Sequence, residues 1–82
     1  MPYVKVANQL AGNIFVEYYY DDAQTFIQKI PANETKELSN PVLIDSGITV
    51  TAENREYGIE YCANDTELTV SAGGETGVLL NW

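Results

Sequence analysis

The sequence predicts an all-β protein: a compact antiparallel β-sandwich of immunoglobulin-like shape, with roughly seven to nine short strands. Three observations carry this. Apolar residues alternate with polar ones along most of the chain, as side chains do on a half-buried strand. Turn-forming residues interrupt the alternation about every 8–12 residues, the rhythm of sandwiches and barrels. Valine, isoleucine, threonine and tyrosine fill the periodic segments, and no segment holds an apolar period of about 3.6 residues over several turns. A small closed barrel is the alternative architecture.

The first strand alternates Val4 and Val6 with Tyr3, Lys5 and Ala7. After the turn "NQLAGN", the second strand sets Ile14, Val16, Tyr18 and Tyr20 on one face and Phe15, Glu17 and Tyr19 on the other. The three consecutive tyrosines therefore divide: Tyr18 and Tyr20 continue the core face, and Tyr19 joins Glu17 outside. "DDAQ" reads as a turn and "TFIQKI" as a third strand, apolar in part on both faces. Pro31 ends that strand and "PANE" turns. "TKEL" is short and charged, as suits an edge.

The apolar run "PVLID" predicts a strand buried on both sides or a segment bridging two sheets. "ITVTAE" places Ile48, Val50 and Ala52 inward, and "ENREYG" reads as a longer loop. "IEYCA" sets Ile59, Tyr61 and Ala63 on one face, with Glu60 and Cys62 opposite. "ELTVSA" turns Leu68, Val70 and Ala72 inward, and "GVLLNW" closes the chain with Val78, Leu80 and Trp82 on one face. Trp82 is expected to plug the core. The rhythm of "IPANETKEL" and "IDSGITVTAE" resembles that of immunoglobulin-like sandwiches in general. The Cys…Trp…Cys arrangement of antibody domains is absent from the sequence.

The 82 residues predict a single domain spanning 1–82. Twelve carboxylates face four lysines and arginines, giving a formal charge of −8. Such a chain repels nucleic acid and anionic membranes, which need clustered cations. It suits high solubility, a basic partner or a bound cation. No run approaches the ~20 apolar residues that cross a bilayer, and no signal peptide is visible. The expectation is a soluble chain, cytoplasmic or already processed.

Histidine is absent, which removes the usual general base near neutral pH and most zinc sites. Cys62 is the single cysteine, without a histidine to activate it, and reads as structural. "AGGETG" joins two strands and lacks the lysine of a phosphate-binding loop. Paired carboxylates remain, but a sandwich this small offers little depth for a catalytic cleft. A non-catalytic protein is expected.

Two surfaces are candidates for binding. If every strand reverses direction, Asp21, Asp22, Glu53, Glu56 and Glu75 gather at one end, where clustered carboxylates and loop carbonyls suit Ca²⁺. By the same count the two sequons, at Asn33 and Asn64, share the other end, where asparagine also serves as a turn residue. The second surface is aromatic. Phe15, Tyr19 and Tyr57 fall on outer faces or loops, with Ile27 and Leu79, and tyrosine offers rigid amphipathic contact to sugars and proteins.

Three functions follow from these surfaces. The first is a binding module, lectin-like in its specific form, that recognises a protein or carbohydrate. The second is an acidic inhibitor or immunity-type protein that mimics a polyanion. The third is an assembly subunit of a virion or surface layer, with the Phe15–Tyr19 face as a homo-oligomer contact.

Overall fold

Alternating burial is what forces this chain into two layers. A strand that is apolar on one face must cover that face, and two such sheets cover each other. In the computed structural model, which describes residues 3–82, eight strands form among the described residues. They are β1 (Lys5–Asn8), β2 (Ile14–Tyr19), β3 (Thr25–Ile30), β4 (Thr35–Glu37), β5 (Gly47–Ala52), β6 (Arg55–Glu60), β7 (Glu67–Ala72) and β8 (Val78–Asn81). One sheet has the order β4-β1-β7-β8 and the other β3-β2-β5-β6. The sheets remain separate, so the fold is a sandwich and the closed barrel is set aside. The likeness to immunoglobulin domains is one of shape, since their constant-type sheets are ordered ABED and CFG.

All strand pairs are antiparallel except β1 with β7. Following the chain direction, loops 9–13, 31–34, 53–54 and 73–77 fall at one end of the sandwich, here termed the foot. Loops 20–24, 38–46 and 61–66 fall at the other end, the head. Backbone hydrogen bonds tie each set together. Asn33 N donates to Leu10 O at the foot, while Leu43 N donates to Tyr19 O and Asp45 N to Tyr61 O at the head.

The core lies between the layers. Val4, Val6, Leu68, Val70 and Val78 from one sheet meet Ile14, Val16, Tyr18, Ile30, Ile48, Val50 and Ala52 from the other. Burying each large aliphatic side chain contributes roughly 1.5–3 kcal/mol before entropy is counted. Tyr18 is 1% exposed and Tyr19 44%. The triplet of tyrosines splits as a pleated strand requires, and Tyr20 is half-buried against the core.

Each open side of the sandwich is closed by side chains. On one side, Gln28 of β3 donates to Glu37 O and accepts from Ser39 N, linking the two sheets at their β3 and β4 edges. On the other, Trp82 stacks against Tyr61 with ring centroids 5.8 Å apart and donates its indole N–H to Glu60 O at 2.9 Å. Trp82 is thus half-buried, a lid on the core's flank more than a plug within it.

Several expectations are corrected. Of the two readings of "PVLID" the bridging one holds and the strand does not: residues 38–46 cross irregularly from the first sheet to the second, with Val42 buried and Ile44 exposed. "ENREYG" is not a loop, because Glu53 and Asn54 alone make the turn and β6 begins at Arg55. Both turn residues have positive φ, 53° and 64°, the geometry of a type I′ hairpin turn whose twist matches the strands. Ala72, at the last position of β7, is exposed instead of inward, and Cys62 and Ala63 are exposed in the loop after β6.

Candidate functional site

The outer face of the β3-β2-β5-β6 sheet is built by the odd residues of β2 and their partners. Phe15 stands between Lys29 of β3 and Thr51 of β5. Glu17 stands between Ile27 and Thr49, and Tyr19 opposes Thr25. Beyond β5, Thr51 opposes Glu56, Thr49 opposes Gly58 and Gly47 opposes Glu60. Ile27 is therefore diagonal to both Phe15 and Tyr19, at the spacing of about 7–8 Å over which large side chains still meet across strands. Phe15, Tyr19 and Ile27 are 46%, 44% and 59% exposed and surround Glu17. The two aromatics stand four residues apart on one strand, about 14 Å.

The opposite outer face differs in kind. Across β4-β1-β7-β8 it carries Glu37, Lys5 and Glu67 in one row and Thr35, Ala7, Thr69 and Asn81 in the next. Leu79, opposite Ser71, is exposed there, and so is Tyr3, 45% exposed on the same outward side of the chain as Lys5. The two stand apart, Tyr3 ahead of β1 at the head end and Leu79 on β8 toward the foot, with β7 between the strands.

Two hollows flank the aromatic face. At the foot, a depression of about 300 Å³ is lined by Gly12, Asn13, Phe15, Thr51, Glu53 and Asn54, with Leu10 at its base. At the head end, one of about 370 Å³ is lined by Glu17, Tyr18, Tyr19, Thr25, Gly47 and Thr49. Small residues leave room at each: a Cβ built on Gly12 at the foot or on Gly47 at the head would meet nothing within 4 Å.

The foot hollow rests on a rigid base. Asn8, buried at the end of β1, donates its side-chain amide to Gly12 O, Ile30 O and Pro31 O, and its Oδ1 accepts from Leu10 N. One side chain thereby ties the β1–β2 loop to the β3–β4 loop. Asn13 Oδ1 accepts from Ala32 N at 3.1 Å, a second link between the same loops. By sequence Asn8 falls in the turn "NQLAGN"; its place two residues after Val6, continuing the inward series of Val4 and Val6, is the signal for its burial.

The third aromatic expected at the surface is elsewhere. Tyr57 lies inside β6, opposite Val50, so it faces the core and is half-buried there. Its hydroxyl donates to Thr76 O at 3.3 Å, which fastens the β7–β8 loop. The misplacement follows directly from reading "ENREYG" as a loop.

The acidic set also divides. Asp21 and Asp22 lie in the β2–β3 turn at the head, whereas Glu53 and Glu75 lie in loops at the foot and Glu56 is the second residue of β6 at that same end. The cause is the missing "PVLID" strand: removing one reversal sends every later turn to the opposite end. Asp21 is engaged locally, its Oδ1 accepting from Ala23 N at 2.9 Å. Among the described residues no group of three or more potential metal ligands comes together. The five carboxylates thus do not assemble the expected Ca²⁺ site. For the same reason Asn33 lies at the foot and Asn64 at the head.

No family model, curated protein or solved structure matches this chain.

Proposed function

We propose that the protein is a non-catalytic binding module, and that the outer face of the β3-β2-β5-β6 sheet is its contact surface for a protein or carbohydrate partner. The contrast between the two outer faces supports the reading. One carries mostly small polar and charged residues, with Tyr3 and Leu79 far apart on it, and the other gathers Phe15, Tyr19 and Ile27 around Glu17, flanked by hollows. Exposed aromatics held on a rigid strand lose little entropy on binding and are the commonest anchors of recognition surfaces.

The charge of −8 favours neutral or basic partners over anionic ones. Glu17, Glu56 and Glu60 lie on this face with Lys29 as its cation, so the polyanion-mimic reading would use the same surface. It differs in its salt dependence: a basic protein held by these carboxylates is released as ionic strength rises.

The test is retention of the labelled protein on an array of immobilised glycans and of basic and acidic proteins. A Phe15→Ser/Tyr19→Ser variant is run in parallel. Retention on one class that the double variant loses is the expected result. Equal retention by the variant, or no retention of the parent chain, ends the proposal.

A further inference from the structure

The foot hollow differs from the head hollow in setting two asparagines, each at once a donor and an acceptor, beside an aromatic ring. Phe15 presents half of its surface beside it. Asn13, Asn54, Thr51 and Glu53 line the hollow with it. Asn13 is held through Oδ1 by Ala32 N, which fixes its amide and leaves Nδ2 as a donor. Glu53 and Asn54 are held in the left-handed conformation of a two-residue turn, so their positions beside the hollow are set by the hairpin.

These features select among ligands. A volume of about 300 Å³ is at the small end of ligand sites, which suits one ring-sized group and not a bulky one. A carboxylate in the wall disfavours phosphate, sulfate and carboxylate ligands. A purely apolar ligand would strip water from two amides, a hydroxyl and a carboxylate without replacing their hydrogen bonds. The ligand that uses every group is a neutral ring with one apolar face and a rim of hydroxyls: the apolar face against Phe15, the hydroxyls donating to Glu53 and exchanging hydrogen bonds with Asn13, Thr51 and Asn54. We infer that the foot hollow is a binding subsite for a single neutral pyranose unit of a glycan, with Phe15 as its stacking platform. This rests on the outer face being the contact surface, and narrows the partner to carbohydrate.

Gly12 supplies a clean probe of the site. Gly12 lines the hollow, its backbone is not in the left-handed region and a Cβ there meets nothing, so Gly12→Leu adds bulk at the hollow's edge without a clash.

The experiment is a ¹H–¹⁵N titration of the whole chain with the methyl glycosides of glucose, galactose and mannose and with N-acetylglucosamine. Each is raised to about 20 mM, above the roughly 1 mM dissociation constant suited to one ring in a shallow site. The expected result is saturable shifts at Gly12, Phe15, Thr51 and Asn54 with at least one sugar. Affinity should fall at least about tenfold in Gly12→Leu and in Phe15→Ser, and should return in Phe15→Trp, with melting temperatures preserved. A basic peptide containing lysine and leucine is titrated in parallel.

No saturable shift with any sugar overturns the inference, as do shifts that Gly12→Leu leaves intact. Sugar shifts confined to Glu17, Ile27 and Thr49 also overturn the foot subsite but leave the outer face as the contact surface. Shifts from the basic peptide alone at this face overturn the carbohydrate assignment and retain the contact surface. The contact surface itself fails if these ligands perturb only the β4-β1-β7-β8 sheet.

Discussion

Asn8 Nδ2 donates to the carbonyl oxygen of Ile30, 22 positions away, at 3.1 Å inside the foot of the sandwich. The same amide group reaches Gly12 O and Pro31 O, so two N–H bonds are shared among three acceptors. A buried network of this kind is costly to break because every abandoned partner stays buried. Asn8→Ala is expected to lower stability by about 3 kcal/mol, measured by urea unfolding. Asn8→Asp should be worse at neutral pH, since a carboxylate would face three carbonyl oxygens. That environment raises the folded-state pKa of the new acid above its unfolded value, so its deficit relative to the parent chain should shrink as pH falls from about 7 to about 4. An Asn8→Ala variant as stable as the parent would contradict this role.

Tyr18 and Tyr19 are adjacent in sequence and opposite in environment. Tyr18→Ser empties a core position and removes the hydroxyl that accepts from Asn40 N at 3.1 Å, so a loss of about 3–5 kcal/mol is expected. Tyr19→Ser should cost less than about 1 kcal/mol, as surface substitutions do. Comparable losses from the two would mean that the strand does not present its faces as described.

Trp82 closes the sandwich flank against Tyr61. Trp82→Ala removes the ring contact and leaves Glu60 O without its indole donor, for an expected loss of about 2–3 kcal/mol by thermal or chemical melting. Tyr61 behaves differently. Its hydroxyl is buried without a hydrogen-bond partner among the described residues, so Tyr61→Phe should be neutral or stabilising by up to about 1 kcal/mol. A large loss from Tyr61→Phe would show that the hydroxyl is satisfied in solution.

The β5–β6 turn uses glutamate and asparagine where Asn-Gly is the better fit to two left-handed residues. Glu53→Asn combined with Asn54→Gly should raise stability by about 1 kcal/mol, read as a higher melting temperature. A lower one would argue against the type I′ geometry.

Much of this architecture was legible in the alternation of the sequence. Inward residues such as Val16, Ile48 and Val70, and outward ones such as Phe15, Tyr19 and Ile27, follow from a side-chain period of two, which tertiary packing cannot shift without turning a strand over. Turns and crossovers were harder. "PVLID" has the composition of a buried strand, yet it spans from one sheet to the other and so cannot pair along its length. The Glu53–Asn54 turn lacks the glycine that usually marks its type, which hid β6 and displaced Tyr57 from the core. These local misreadings had distant effects: one spurious reversal placed Glu53, Glu56 and Glu75 beside Asp21 and Asp22. The foot hollow was invisible for a related reason, since it joins residues 10–15 to residues 51–54 across the β2–β5 register.

The most direct test of the contact surface is the amide chemical-shift footprint of the protein bound to the array component that retains it. The largest changes are expected at Phe15, Glu17, Tyr19, Ile27, Thr49 and Thr51, all on one sheet face. Changes centred on Lys5, Thr69, Ser71 and Leu79, with the aromatic face undisturbed, would contradict it.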